Sequence, residues 1–104
     1  MSIQTNWDWS EWGKKSNAHR RVVEFLTLDV QDNCEYIKHI CAQIAALENG
    51  EMADCICSGN AYYVSLSPQN VTIENLIIDD EPIETISLNE FKEAILCWQD
   101  KLED

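Results

Sequence analysis

Five cysteines (Cys34, Cys41, Cys55, Cys57 and Cys97), two histidines (His19 and His39) and nineteen carboxylates are the side chains here that could carry chemistry. Cys55-Ile-Cys57 would place two thiols on one face of a strand. A zinc site usually shows Cys-x-x-Cys pairs or a matched pair of histidines, and neither spacing is present. Core packing is therefore the expected role of the thiols, mostly buried, reduced and without metal. A nucleophilic cysteine needs a base and an orienting partner beside it. His39 and Cys41 are close in sequence, yet residues two apart on a helix point in different directions. With so many carboxylates, no single pair stands out for acid–base work, and a solvated acidic surface is the simpler account. There is no Gly-rich phosphate loop, no G-x-S-x-G elbow and no H-E-x-x-H. The chain reads as a non-enzyme with no cofactor.

Charge is the stronger signal. Nineteen acids against seven Lys and Arg give a net charge of −12 over 104 residues, a length that fits one domain, 1–104. The charge is uneven: residues 1–30 are neutral, 31–70 carry −4 and 71–104 carry −8. Such a surface opposes DNA, RNA and anionic membranes and favours a cationic partner. The basic quartet Lys14, Lys15, Arg20 and Arg21 is too small to hold nucleic acid, and pairing with the acidic C-terminal third is its expected role. No basic start followed by an apolar run opens the sequence, and no stretch approaches the ~20 apolar residues of a membrane span. Together with the odd cysteine count, this suggests a reducing, cytoplasmic setting.

These side chains must be positioned by a few short elements. Trp7 and Trp9 share a parity that suits a short extended segment. Trp7, Trp9 and Trp12 are expected to fold back over the core, an interface role being the alternative. Residues 20–30, RRVVEFLTLDV, are rich in β-branched and aromatic residues and read as a strand, with a helix from near Ser16 as the competing arrangement. Residues 32–49 read as a helix with an apolar stripe of Ile37, Ile40, Ile44 and Leu47, ended by Asn49-Gly50. A meander of Met52–Ser58, Ala61–Ser67 and Val71–Ile78 follows, with turns at Gly59-Asn60 and Pro68-Gln69-Asn70. Ser87-Leu-Asn-Glu90 is a capping box, flanked by the staple pair Ile86 and Phe91. It opens a helix over 87–102 with Leu88, Phe91, Ile95, Trp98 and Leu102 on one stripe. The expected fold is α+β: a small antiparallel sheet of three to four strands with two helices packed on one face.

The segment from Asn60 to Leu76, the acids after it, and Ile86-Ser-Leu-Asn-Glu-Phe-Lys-Glu-Ala-Ile-Leu-Cys-Trp98 resemble small bacterial immunity proteins. Such proteins are found beside polymorphic toxins, including those of contact-dependent growth inhibition. The resemblance spans residues 30–104 and rests on turns, a capping box and a core stripe. It implies a role and no site residues: one-to-one neutralisation of a cognate toxin domain, often a nuclease. The charge argument agrees, because a nuclease cleft that holds phosphate is basic and an acidic inhibitor complements it. An acidic mimic of nucleic acid, or a small accessory subunit of an enzyme, are the competing roles.

The partner surface is expected on the acidic connection Asp79, Asp80, Glu81 and Glu84, extending to Glu74, a solvated loop that only keeps the protein soluble being the alternative. It lies in the most anionic third, and Pro82 restricts it. Glu90 is expected to be committed to its helix cap.

Overall fold

The computed structural model describes residues 9–78 and 80–103; the expectations for Trp7 and Asp79 fall outside the described residues. The chain forms α1 (Trp9–Gly13), α2 (Asn17–Phe25), a π-helical turn (Leu26–Val30), α3 (Cys34–Glu48), β1 (Cys55–Ser58), β2 (Tyr62–Leu66), β3 (Asn70–Asn75), β4 (Glu84–Ser87) and α4 (Leu88–Glu103). The strands make one antiparallel sheet in the order β1-β2-β3-β4. The fold is α+β, as its patterning predicts.

Register explains the core. Val64 lies opposite both Cys57 and Ile73, and Val71 opposite both Leu66 and Ile86. Period-2 alternation puts all of these on one face, and all are buried. Ile56, of the opposite parity, is 52% exposed. The helix α4 meets β3 and β4 with Leu88, Phe91, Ile95 and Trp98 buried. The helix α3 lies along α4 and reaches β1 through Tyr36, whose hydroxyl donates to the Ser58 carbonyl at 3.3 Å. Its C-terminus closes as a Schellman motif: Glu51 N–H bonds the Ala46 carbonyl, Gly50 N–H bonds Leu47, and Gly50 takes φ +77°.

The expected strand over 20–30 is instead α2 and the π-helical turn. Ser16 Oγ caps α2 by accepting from His19 N–H at 3.2 Å. Ala18, Val22, Phe25, Leu26 and Val30 then fall at helical spacing and are buried, and α2 packs on β3, β4 and α4. Burying that stripe outweighs the weak helix preference of Val22 and Val23. Beyond the turn, Gln31 takes φ +53°, and its carbonyl accepts from the indole N–H of Trp98 at 2.8 Å.

Three smaller expectations change. Trp9 is helical rather than extended: Trp12 is buried, and Trp9 stands edge-on to Trp12 and Trp98 at 6.2 and 5.6 Å, so both cover the core. Only Cys57 and Cys97 are buried; Cys41 and Cys55 are half-buried and Cys34 is exposed. The third strand stops at Asn75 rather than Ile78, and a fourth begins at Glu84, a residue expected in the connection.

One carboxylate holds the β1–β2 turn. Asp29, on the π-helical turn, accepts from the N–H groups of Asn60 and Ala61 at 3.0 Å each and of Tyr62 at 2.9 Å. Gly59 leaves room for it, since a Cβ there would stand 2.2 Å from Asp29 Cγ.

Candidate functional site

The β3–β4 connection is built from below by an arginine. Arg21, on the buried side of α2, is 2% exposed. Its Nη1 donates to the Pro82 carbonyl and to the Ile73 carbonyl at 3.3 Å. Its Nη2 meets Glu81 Oε2 at 2.8 Å, and Asn75 Nδ2 donates to the same oxygen at 3.5 Å. One backbone carbonyl and one carboxylate of the connection are thus tied to the helix, beside a carbonyl of β3. From the β3 side, Asn75 Oδ1 accepts from the N–H groups of Ile77 and Ile78 at 2.8 and 3.0 Å. That local turn ends the strand and projects the residues after it.

What it projects is apolar. Ile77 is 72% exposed, Ile83 59%, Ile78 50% and Leu76 44%, with Leu28 at 54% on the neighbouring π-helical turn. Scattered exposed aliphatics are ordinary, whereas four in one short connection are more than folding alone calls for. A groove of about 290 Å³ separates the connection from α2, with Leu28, Tyr62, Ile77 and Ile78 on its walls and Glu24 and Glu81 among its polar groups. Inside it the Tyr62 hydroxyl donates to Glu24 Oε1 at 2.7 Å. Burial first, and then that bond to a carboxylate, raise the Tyr62 phenol above its ordinary value of 10.0.

The expected contact residues do not share one surface. Asp80 is exposed on the connection. Glu81 is turned under it and committed to Arg21. Glu84 opens β4 opposite Ile73 and is half-buried, whereas the exposed Glu74 lies opposite Tyr63 and projects from the other face of the sheet. Of the basic quartet, Arg21 makes the expected pair with the acidic third, and Arg20 pairs with Glu24 on its own helix at 3.9 Å. Sequence reasoning missed the aliphatic part of the surface. The signal was Leu76-Ile77-Ile78, three consecutive apolar residues at the end of an alternating strand, which cannot all face the core.

A second cluster has the outline of a catalytic relay. Ser16 Oγ lies 2.7 Å from His19 Nδ1, and His19 Nε2 lies 2.6 Å from Glu90 Oε2. The hydroxyl already caps α2, and the imidazole stands edge-on to Trp12 at 4.7 Å. Glu90 also accepts from Ser87 Oγ at 3.1 Å, and Ser87 Oγ caps α4 by accepting from Glu90 N–H at 3.1 Å. The cluster joins the starts of two helices, a structural task. The hydrogen bond from His19 holds the Glu90 carboxyl below its ordinary 4.5, with Ser87 helping and burial opposing.

The thiols are poor nucleophiles where they are buried. Burial pushes Cys57 up to about 12 and Cys97 up to about 11, so both are protonated at neutral pH. Cys57 Sγ donates to Gln43 Oε1 at 2.9 Å. Among the described residues no three His, Cys, Asp or Glu side chains converge as a metal site, and no helix is long and apolar enough to cross a membrane. Compared with known protein families, curated proteins and solved structures, the chain matches none.

Proposed function

We propose that this protein is an immunity-type inhibitor, which binds a cognate basic bacterial toxin domain, a nuclease, one-to-one and occludes its active-site surface. It does so in the cytoplasm, without a metal or cofactor and without touching nucleic acid itself. The observation that carries the reading is the β3–β4 connection: exposed isoleucines at 77, 78 and 83 beside Asp80, on a chain of net charge −12. Carboxylates steer a cationic partner and set the association rate, while desolvated apolar contacts set the residence time. A mimic of nucleic acid would instead spread carboxylates along one face, whereas this surface carries aliphatic side chains in its middle, which imitate no phosphate.

The test is whether a toxin domain is encoded beside this gene and is neutralised when the two are co-expressed. Survival of the host and a one-to-one complex on size exclusion are expected. Replacing Asp80 and Glu84 by Asn and Gln should slow association and flatten its salt dependence. Glu81 is left in place because of its bond to Arg21. A toxin left fully active in the presence of folded protein would sink the reading.

A further inference from the structure

The groove between α2 and the β3–β4 connection has chemistry of its own. Its walls are aliphatic and aromatic (Leu28, Tyr62, Ile77, Ile78), and its acidic groups are Glu24 and Glu81, with Asp80 exposed on the same connection. Arg20, the cation at its edge, is already paired with Glu24. A volume of about 290 Å³ accommodates one large side chain with room for its neighbours. The wall formed by the connection is held in place before any partner arrives, by the bonds of Arg21 to Pro82, Ile73 and Glu81. Binding therefore costs little ordering of that wall.

We infer that this groove docks a short cationic segment of the partner protein, with one leucine-, isoleucine- or tryptophan-sized side chain inserted between Leu28 and Ile77 and Lys or Arg residues flanking it. The apolar walls select the inserted residue, and the exposed Asp80 together with the anionic field of the whole chain selects its flanks, since Glu24 and Glu81 are already paired. This rests on the inhibitor reading only for the partner's identity. It adds which part of the partner is held.

The probe is a random peptide library of roughly a dozen residues per member, long enough for one helical or extended docking segment, panned against the full chain. Enriched peptides should combine a large apolar residue with Lys or Arg neighbours. Amide shifts on binding should map to residues 24–28 and 75–83. Ile77→Ser and Leu28→Ser should each weaken binding by about tenfold or more, as expected for a central apolar anchor. Both side chains are more than half exposed, at 72% and 54%, so both variants keep the fold, which circular dichroism checks. The inference fails if no peptide is enriched, if the enriched peptides lack cations, if the shifts map elsewhere, or if both variants bind unchanged. It fails equally if the native protein forms a dimer that Ile77→Ser dissolves, since a second copy would then be the occupant. Peptide docking here, with no toxin domain encoded beside the gene or none neutralised on co-expression, would remove the inhibitor reading and leave this site standing. Neutralisation undiminished by Ile77→Ser would do the reverse.

Discussion

At the β1–β2 turn, a carboxylate from another element is drawn in and spent on the backbone: Asp29 accepts three N–H groups, and Gly59 yields the space it needs. At the β3–β4 connection of the same sheet, a buried arginine binds the backbone from beneath and leaves isoleucines and Asp80 facing outward. The first connection is closed on itself and the second is displayed. An acidic residue's role is therefore set by which donors reach it, and the overall charge of −12 does not say which carboxylates are available to a partner.

The largest effect should come from removing the support of the displayed connection. Arg21→Met strands the Glu81 carboxylate and the Pro82 and Ile73 carbonyls. Breaking a buried pair from one side costs ~3–5 kcal/mol, and Glu81, with its side chain 27% exposed, can recover part of this by hydration. A loss of about 2–4 kcal/mol in urea unfolding is expected. An unchanged midpoint would mean that the connection stands without its arginine. The closed connection should respond next: Asp29→Ala leaves three N–H groups without their acceptor and should cost about 2–3 kcal/mol. Gly59→Ala should cost a similar ~1–3 kcal/mol, because its methyl group would displace Asp29. If the two losses do not sum in the double variant, both act through the same carboxylate.

Acid tests a third committed carboxylate, Glu90, whose side chain is 45% exposed but bonded to His19. Glu90 is held below its ordinary 4.5 in the folded chain, chiefly by the hydrogen bond from His19. A depressed carboxyl contributes stability that is complete above its unfolded value and is lost as pH falls through its folded value. The urea midpoint should therefore fall as the pH is lowered from about 5 toward 3. Glu90→Gln should flatten that dependence. Equal pH profiles for Glu90→Gln and the native chain would rule that contribution out.

How much of this was legible depended on whether a side chain's role is local. The helices α3 and α4 could be read because their apolar stripes and caps lie within a few residues of each other. The α2 stripe was hidden by Arg21, a charge that belongs to the buried face only because Glu81 and two carbonyls, some sixty residues away, receive it. The strand β4 is four residues long with Ile86 as its one buried side chain, too little for alternation to register. Glu81 could be placed in an acidic connection but not beneath it, because the arginine that draws it under lies 60 residues away, whereas the run Leu76-Ile77-Ile78 already held more apolar residues than one strand face can bury.

The smallest effect on stability should come from the surface proposed to hold the partner. Ile77 is 72% exposed and Ile73, four residues earlier on the same strand path, is fully buried. The transfer free energy of an aliphatic side chain scales with the area it removes from water, so Ile77 contributes little to folding. Ile77→Ser should leave the urea midpoint within about 0.5 kcal/mol of the native chain, and solubility at high concentration should rise as the exposed patch shrinks. The same substitution should weaken binding of the proposed cationic segment, because docking in the groove would give Ile77 the burial that folding does not. A loss of stability comparable to that of Asp29→Ala would place Ile77 in the fold's interior and make this connection a second closed turn. Unchanged stability together with lost binding keeps the contrast between the two connections.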